Sequence, residues 1–147
     1  MVIGHFSGKH AFLSNFHPSQ IKVGIRYPTV EHYYQAQKTL SMRHRRRIAE
    51  LPSPGQAKRA GRNLPLRPDW EAIKLDVMLR GIRAKFAHNS RLAAQLLATG
   101  DALLVEGNNW DDKYWGALYN LETDRWVGKN WLGGLLMLRR AELRGRS

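Results

Sequence analysis

Apolar and polar residues alternate over residues 21–25, which predicts a short strand that Pro28 ends. Beyond Pro28 the apolar residues recur mostly with helical spacing. Thr29 is a favourable N-cap, so we predict a helix that begins there and runs to about Leu40. Further helices are predicted over residues 42–51, from Ser53-Pro54 to about Gly61, over 70–86 with Asp69 as the cap, from Ser90 as the cap to Gly100, and over 131–143 after Asn130.

Two apolar runs in the second half of the chain predict strands, over residues 103–105 and 114–118, and residues 122–124 are expected to form a turn. Gly133 and Gly134 stand early in the last predicted helix, where each costs about 1 kcal/mol relative to alanine. A backbone or a ligand is therefore expected to approach them closely. Together these elements predict a mainly helical α+β fold with a few short strands, as one domain over residues 1–147.

The composition excludes several classes of site. The chain contains no cysteine, which rules out disulfides, thiolate zinc sites and thiol nucleophiles. Its histidines have no metal-ligand spacing, so we expect neither a metal nor a cofactor. No apolar run approaches the roughly 20 residues that span a bilayer, and the N-terminus has no features of a secretion signal. We therefore expect a cytoplasmic protein without a membrane partner.

The net charge of +12 is unevenly distributed along the chain. Residues 38–91 contain 14 Lys and Arg against four acids, whereas residues 101–124 contain six acids against Lys113 alone. A strongly basic surface attracts polyanions such as nucleic acid or phosphorylated metabolites. The basic run from Arg43 to Arg47, with Lys58, Arg59 and Arg62 after it, therefore predicts contact with a phosphate backbone, although a merely soluble helix face has the same pattern.

Glu31, Gln35 and Lys38 are spaced to share one face of the helix that Thr29 caps. Glu31 lies in the first turn, where the helix dipole favours an ionised carboxylate. Lys38 is expected about 10 Å farther along the axis, at 1.5 Å per residue. This separation suits a ligand with a reacting centre at one end and a phosphate at the other. The alternative is that Glu31 only complements the dipole and Lys38 is solvated.

Residues 106–116 combine Glu106, Asp111 and Asp112 with two tryptophans and a tyrosine in a loop rich in Gly and Asn. Such a loop offers carboxylates beside flat stacking surfaces. A calcium-like loop, or an acidic hairpin turn with core aromatics, has the same composition.

These segments, in this order, resemble the NADAR family over nearly the whole chain. The most specific match is the run Pro28-Thr29-Val30-Glu31-His32-Tyr33-Tyr34-Gln35-Ala36-Gln37-Lys38. The other matching segments are Ser14-Asn15-Phe16, Gly61-Arg62, Trp70 with Lys74 and Met78, Ala84-Lys85-Phe86, Leu104-Val105-Glu106, Asp112-Lys113-Tyr114-Trp115-Gly116, and Gly128 to Met137 with Arg140. The chain departs from the family at Ala117-Leu118-Tyr119, where members often have a glycine, and at Trp126, which replaces the first of a usual pair of glycines.

The resemblance implies hydrolysis of an N-glycosidic bond between a base and ribose. Some family members cleave phosphoribosylamino intermediates of riboflavin biosynthesis, and others remove ADP-ribose from guanine in nucleic acid. Cleavage leaves positive charge on C1′ and the ring oxygen, which an ionised carboxylate stabilises. We assign that catalytic role to Glu31, and we assign Asp112 to the leaving base or to the ribose hydroxyls. The predicted substrate-binding residues are Asn15, Phe16, Lys38, Arg62, Trp70, Tyr114, Trp115 and Asn130.

Within that set, Phe16, Trp70 and Trp115 are predicted to stack on a base, while Lys38, Arg62 and Asn130 are predicted to contact phosphate. The high net charge favours a polymeric substrate, so the expected activity is removal of ADP-ribose from guanine in DNA. A riboflavin-pathway N-glycosidase is the first alternative. A non-catalytic module that binds ADP-ribose and nucleic acid is the second, and a basic structural protein is the third.

Overall fold

Helices dominate the computed structural model, which describes residues 1–145. A 3-10 helix covers Gly8–Leu13, and the α-helices are α1 Val30–Ala36, α2 Met42–Ala49, α3 Pro54–Arg62, α4 Trp70–His88, α5 Ser90–Ala98 and α6 Trp131–Arg144. The strands are β1 Val2–Ile3, β2 Ile21–Val23, β3 Ile25–Tyr27, β4 Leu103–Leu104, β5 Leu118–Asn120 and β6 Arg125–Val127. The predicted mainly helical α+β class is confirmed. No helix in this described part of the chain is both long and apolar enough to cross a membrane.

The chain divides into two compact units, which are named here by their position in the sequence. The middle unit is Asn15–Ser90, and the terminal unit combines Met1–Ser14 with the chain from Arg91 onward. The expectation of one domain over the whole length stays a prediction.

Helix α1 is the core element of the middle unit, since all seven of its residues are buried. It packs against α2, α3 and α4. The contact with α4 depends on Gly81, where an added Cβ would lie 2.8 Å from ring atoms of Tyr33. The Tyr33 hydroxyl, on α1, donates a hydrogen bond of 2.9 Å to the Val77 carbonyl of α4. Because the whole helix is enclosed, any polar side chain on it needs a partner inside the protein.

Two predicted elements of the middle unit differ from the structure. The single strand predicted over residues 21–25 is a hairpin of β2 and β3, which pair antiparallel on either side of Gly24. Gly24 has a φ of +76°, a conformation that glycine adopts without strain, and it reverses the chain there. Helix α1 ends at Ala36 instead of Leu40, because Arg67 donates hydrogen bonds to the Gln37 and Lys38 carbonyls. Lys38 therefore lies beyond the helix and not on its face.

The helix caps were predicted with mixed success. The predicted caps Thr29 and Ser53 each accept a hydrogen bond from the backbone of the following helix. Ser41, for which no cap was predicted, does the same for α2. Asp69 precedes α4 without capping it, because its carboxylate accepts hydrogen bonds of 2.7 and 3.0 Å from Arg67 instead. Ser90 is the first residue of α5 and not its cap. The remaining helix ends lie within two residues of their predicted positions.

In the terminal unit, β1 pairs parallel with β4, and α6 packs against β4. Strands β5 and β6 form an antiparallel hairpin whose turn covers the residues predicted for it, 122–124. The strand predicted over residues 114–118 was placed too early, since only Leu118 belongs to β5. Tyr114 and Trp115 donate their backbone N–H groups to the Asp112 carboxylate, and this bends the chain before the strand begins.

The glycine pair of α6 shows close approach at one position only. An added Cβ at Gly133 would lie 2.0 Å from the Leu104 carbonyl oxygen and 2.4 Å from the Asn130 amide nitrogen. At Gly134 nothing lies within 4 Å of such an atom. The expected close approach is therefore confirmed for Gly133, where a strand backbone makes it, and is wrong for Gly134.

These neighbouring glycines provide a matched test of the packing of α6 on β4. Gly133→Ala is expected to lower the free energy of unfolding by about 1–3 kcal/mol or more, because Leu104 and Asn130 must move. Gly134→Ala is expected to raise it by up to about 1 kcal/mol, the helix-propensity gain. Urea denaturation of both variants measures the difference. Equal stabilities for the two variants would contradict the close contact.

Candidate active site

Glu31 is a buried carboxylate, with only 7% of the residue exposed. It lies in the first turn of α1, two residues after the Thr29 cap, and its backbone N–H donates to the Asn15 carbonyl. The Gln35 side chain donates a hydrogen bond of 2.9 Å from Nε2 to Glu31 Oε1. The predicted relation between these two residues, one turn apart on the same face, is confirmed. The orientation of the carboxylate is thus held from within its own helix.

The Gln35 amide is in turn held by α3. An added Cβ at Gly61 would lie only 1.9 Å from Gln35 Oε1 and 2.8 Å from its Cδ. Among the described residues, that buried Oε1 atom has no hydrogen-bond donor. Because no side chain other than hydrogen fits at position 61, the backbone of α3 fixes the amide, and the amide fixes the carboxylate.

Lys38 lies in a cluster of positive charge beside this carboxylate. Its side chain is half-buried, and Nζ lies 5.6 Å from the centroid of the Tyr34 ring. Burial lowers the pKa of Lys38, the charge of Glu31 raises it, and the charges of Arg62, Lys58 and Lys74 lower it further. We call Lys38, Lys58, Arg62 and Lys74 the cationic cluster. Of the positions predicted for phosphate contact, the structure places Lys38 and Arg62 within it.

The aromatic side chains predicted to stack on a substrate base differ in accessibility. Phe16 is 42% exposed, which leaves part of its ring available. Trp70 is only 4% exposed, and its ring packs against Tyr34 with centroids 5.1 Å apart. The protein core covers this indole, and the stacking role of Trp70 stays a prediction. Trp70 packs against the Tyr34 ring, and the Lys38 ammonium lies over that same ring.

Asn15 holds the start of α1, since its carbonyl accepts from Glu31 and its Nδ2 donates to Met78 Sδ at 3.4 Å. His32 holds the same turn from inside. Its Nε2 donates to the Leu51 carbonyl at 3.0 Å, so its Nδ1 can accept from the Thr29 hydroxyl at 2.7 Å. Burial lowers the pKa of His32. The neutral ring therefore supports the cap of the helix that carries Glu31.

Lys85 is a buried residue that the sequence analysis did not assign to the site. It is 1% exposed, and its Nζ lies 5.3 Å from the Phe86 ring centroid. Burial lowers the pKa of nearby His17, and the charge of Lys85 lowers it further. Lys85 stands on α4 between Ile82 and Phe86, and this position could have indicated its burial from the sequence. A lysine on an apolar helix face must either be enclosed or extend to water.

In the terminal unit, we call residues 106–116 the acidic loop. The Asp112 side chain is bonded within this loop and does not project freely into solvent. Its Oδ1 accepts from the backbone N–H groups of Tyr114 and Trp115, both at 3.0 Å. The Asn108 side chain accepts from the Asp112 N–H and donates to its carbonyl at 2.8 Å. The Tyr114 and Trp115 rings, 4.8 Å apart and nearly perpendicular, are both half-buried. The Asp112 carboxylate thus positions the two aromatic residues by binding their backbone, and it stays partly exposed itself.

Asn130 opens α6 as predicted, but its amide bonds elsewhere. Oδ1 accepts from the Glu106 N–H at 3.0 Å, and Nδ2 donates to the Leu104 carbonyl at 2.9 Å. Its backbone has a φ of +51°, in the left-handed region that asparagine tolerates better than most residues. Both amide atoms therefore hold the acidic loop to the start of α6. The predicted phosphate contact through this side chain would have to compete with those bonds.

The Gly61 contact allows a second matched test. Gly61→Ala is expected to displace the Gln35 amide and lower the free energy of unfolding by about 1–3 kcal/mol. Gly55→Ala in the same helix, where the nearest atom is Ser53 Oγ at 3.9 Å, is expected to leave it unchanged or slightly raised. The side-chain NH₂ resonances of Gln35, followed by ¹⁵N NMR, should shift in the Gly61 variant alone. Unshifted resonances would contradict the coupling of α3 to Glu31.

The chain matches the model of the NADAR domain over residues 4–144. It is 45% identical over 140 residues to the N-glycosidase YbiA of Shigella boydii, which corresponds to 93% of this chain and 84% of that protein. A riboflavin biosynthesis protein of Vibrio vulnificus is 41% identical over 137 residues, 91% of this chain but 36% of that longer protein. The NMR structure of the Escherichia coli protein YbiA superposes with a TM-score of 0.81 at 42% identity, and covers 99% of this chain and 86% of that one. The chain therefore belongs to the NADAR family.

Proposed function

We propose that this protein removes ADP-ribose from guanine in nucleic acid by hydrolysing the bond between the base and C1′ of the ribose. The coarser activity follows from the family and from the relatives named N-glycosidase YbiA at 45% identity: the chain is a hydrolase that acts on N-glycosyl bonds. The observation that supports the finer proposal is the buried Glu31 carboxylate beside the cationic cluster.

We assign Glu31 the role of stabilising positive charge at the reacting carbon, C1′. As the C–N bond breaks, positive charge spreads over C1′ and the ring oxygen, and a fixed anion nearby lowers the barrier. The N-terminus of α1 favours the ionised carboxylate, and the Gln35 amide orients it. Glu31 can also accept a proton from the attacking water, whose oxygen bonds to C1′ as the C–N bond breaks. The leaving base takes a proton from solvent, and Glu31 then releases its own proton to solvent, so the reaction balances as addition of one water.

The cationic cluster supports a substrate that carries phosphate. The charges of Glu31, Arg62, Lys58 and Lys74 all act on Lys38, and Lys74 is paired with Glu71 at 2.7 Å. Four cations against two carboxylates leave the local charge positive even when Glu31 is ionised. A phosphate or pyrophosphate joined to the ribose would neutralise it. Lys38, half-buried over the Tyr34 ring, is the residue best held in one orientation for that contact. We therefore keep Lys38 and Arg62 as the proposed phosphate ligands.

In the terminal unit, Asp112 remains the proposed second carboxylate. One of its oxygens is already occupied by the Tyr114 and Trp115 N–H groups. Its proposed role is therefore to bind ribose hydroxyls or the leaving base through the rest of the carboxylate while it positions the two rings. Trp115 remains a proposed stacking residue, and Tyr114 remains a proposed substrate-binding residue. Stacking contributes about 1–3 kcal/mol per base.

Glu31→Gln tests the mechanism directly. The variant keeps an acceptor for the Gln35 amide but loses the negative charge, so turnover is expected to fall by at least about 10³-fold with little change in stability or substrate affinity. The control is Glu50→Gln, which alters an exposed carboxylate at the end of α2. Product release measured by chromatography decides the outcome. Near-native turnover in Glu31→Gln would remove this residue from the reaction.

Helices α2 and α3 support a nucleic-acid substrate. Arg43, Arg46 and Arg47 are exposed on α2, and Arg59 and Arg62 are exposed on α3, which contacts α2. Arg45 differs, because its Nε donates to the Thr39 carbonyl and holds the chain after α1. Five exposed arginines with only one acid, Glu50, between the first and the last of them along the chain are suited to a phosphate backbone.

A riboflavin-pathway substrate is the second candidate, because a relative at 41% identity is named a riboflavin biosynthesis protein. The cationic cluster alone suffices for a single ribose phosphate, whereas the arginines of α2 would then have no role. The two candidates therefore differ in what α2 contributes. A module that binds ADP-ribose without cleaving it would bind both ligands tightly and release no product.

The substrate is tested by incubating the protein with ADP-ribosylated single-stranded DNA and with the pyrimidine ribosyl phosphate. We expect release of ADP-ribose from DNA, with kcat/KM that falls steeply as salt rises. Replacing Arg43, Arg46 and Arg47 by Gln should flatten that salt dependence and lower kcat/KM on DNA by about 10-fold or more. Arg91→Gln, an exposed position on α5, is the control. The riboflavin-pathway substrate would be favoured if the protein cleaved only the small substrate and if replacing the three arginines did not change that turnover.

A further inference from the structure

The terminal unit contains an open cavity that the proposed reaction does not use. Its volume is about 380 Å³, and it is lined by His5, Asn108, Tyr119 and Trp126. This volume lies within the range of roughly 300–1,000 Å³ that is usual for small-ligand sites. Two of its four lining residues are large aromatics, so a planar apolar ligand fits its chemistry best.

Trp126 is fixed in the wall of this cavity by two glycines. An added Cβ at Gly4 would lie 2.6 Å from Trp126 Cζ2, and one at Gly107 would lie 3.1 Å from the far edge of the same ring. Trp126 also pairs with Tyr119 across the β5–β6 hairpin, with ring centroids 5.1 Å apart and an interplanar angle of 68°. The indole is therefore preorganised, which reduces the entropy lost when a ligand packs on it.

The aromatic pair is also accessible. Tyr119 is 42% exposed and Trp126 is half-buried, so the pair is open to solvent on one side. His5, on the rim, is exposed and can donate a hydrogen bond to a ring nitrogen or carbonyl. The Asn108 amide is engaged with the Asp112 backbone, so it serves as wall and not as a ligand.

We infer that this cavity binds an unpaired base of a nucleic-acid strand, which stacks on one ring of the Tyr119–Trp126 pair and contacts the edge of the other. Two observations carry the inference: a fixed aromatic pair and a cavity of suitable size. Stacking needs no positive charge at the cavity, whose segment 101–124 is acidic. The inference rests on the proposed function only in taking the strand to be that of the substrate.

The test measures binding of an unmodified oligo(dA) of about ten nucleotides, labelled with fluorescein, by fluorescence anisotropy. Tyr119→Ala and Trp126→Phe are each expected to weaken binding, by roughly 5- to 100-fold for the full loss of one stacked base and by less for Phe, which keeps a smaller ring. The slope of affinity against salt should not change, because no phosphate contact is removed. Leu121→Ala, at the 88% exposed tip of the same hairpin, is the control and should bind like the native protein.

Native affinity in both the Tyr119 and Trp126 variants would overturn the inference. So would a loss of affinity for free ADP-ribose with none for the oligonucleotide, because the cavity would then hold the adenine of that nucleotide. The oligonucleotide carries no ADP-ribose, the group that the proposed reaction removes, so the Glu31→Gln variant should bind it normally. Failure of the proposed catalytic role and failure of this base-binding site are therefore observed separately.

Discussion

The hydrogen bond between Gln35 and Glu31 is the interaction on which the candidate chemistry depends. A carboxylate as enclosed as Glu31 is costly to bury, and that cost is tolerable only when its surroundings supply donors and favourable charge. The α1 dipole, the Gln35 amide and the neighbouring cations provide them. Gly61 extends the constraint to α3, since its missing side chain is what lets the amide lie where it does. The position of α3 and the orientation of the Glu31 carboxylate are thus coupled through the contact at Gly61.

The sequence predicted what depends on short-range pattern. Caps at Thr29 and Ser53, the mainly helical class, and the shared face of Glu31 and Gln35 all follow from local spacing and are present. The family resemblance was equally local, because it rested on ordered motifs. These features were predictable since each is decided by residues within one or two helical turns.

The features that were missed depend on residues distant in sequence. Helix α1 ends early because Arg67, about thirty positions away, binds the carbonyls of residues 37 and 38. Trp70 is in the core because Tyr34 covers it, which no spacing around residue 70 reveals. The hairpin at Gly24 was missed because apolar and polar residues alternate in the same way through this tight turn as they would along one straight strand. Tertiary contacts override local pattern in each case.

The acidic loop is held almost entirely by side chains that bond to backbone. Asn108 and Asp112 fix its interior, and Asn130 ties its base to the end of β4 and the start of α6. The residues between these anchors, 109–111, are exposed and make none of the bonds that define the loop. Substitutions at Asn109 and Trp110 therefore leave these bonds in place, whereas position 111, with a φ of +63°, favours residues such as Asp, Asn and Gly that tolerate the left-handed region.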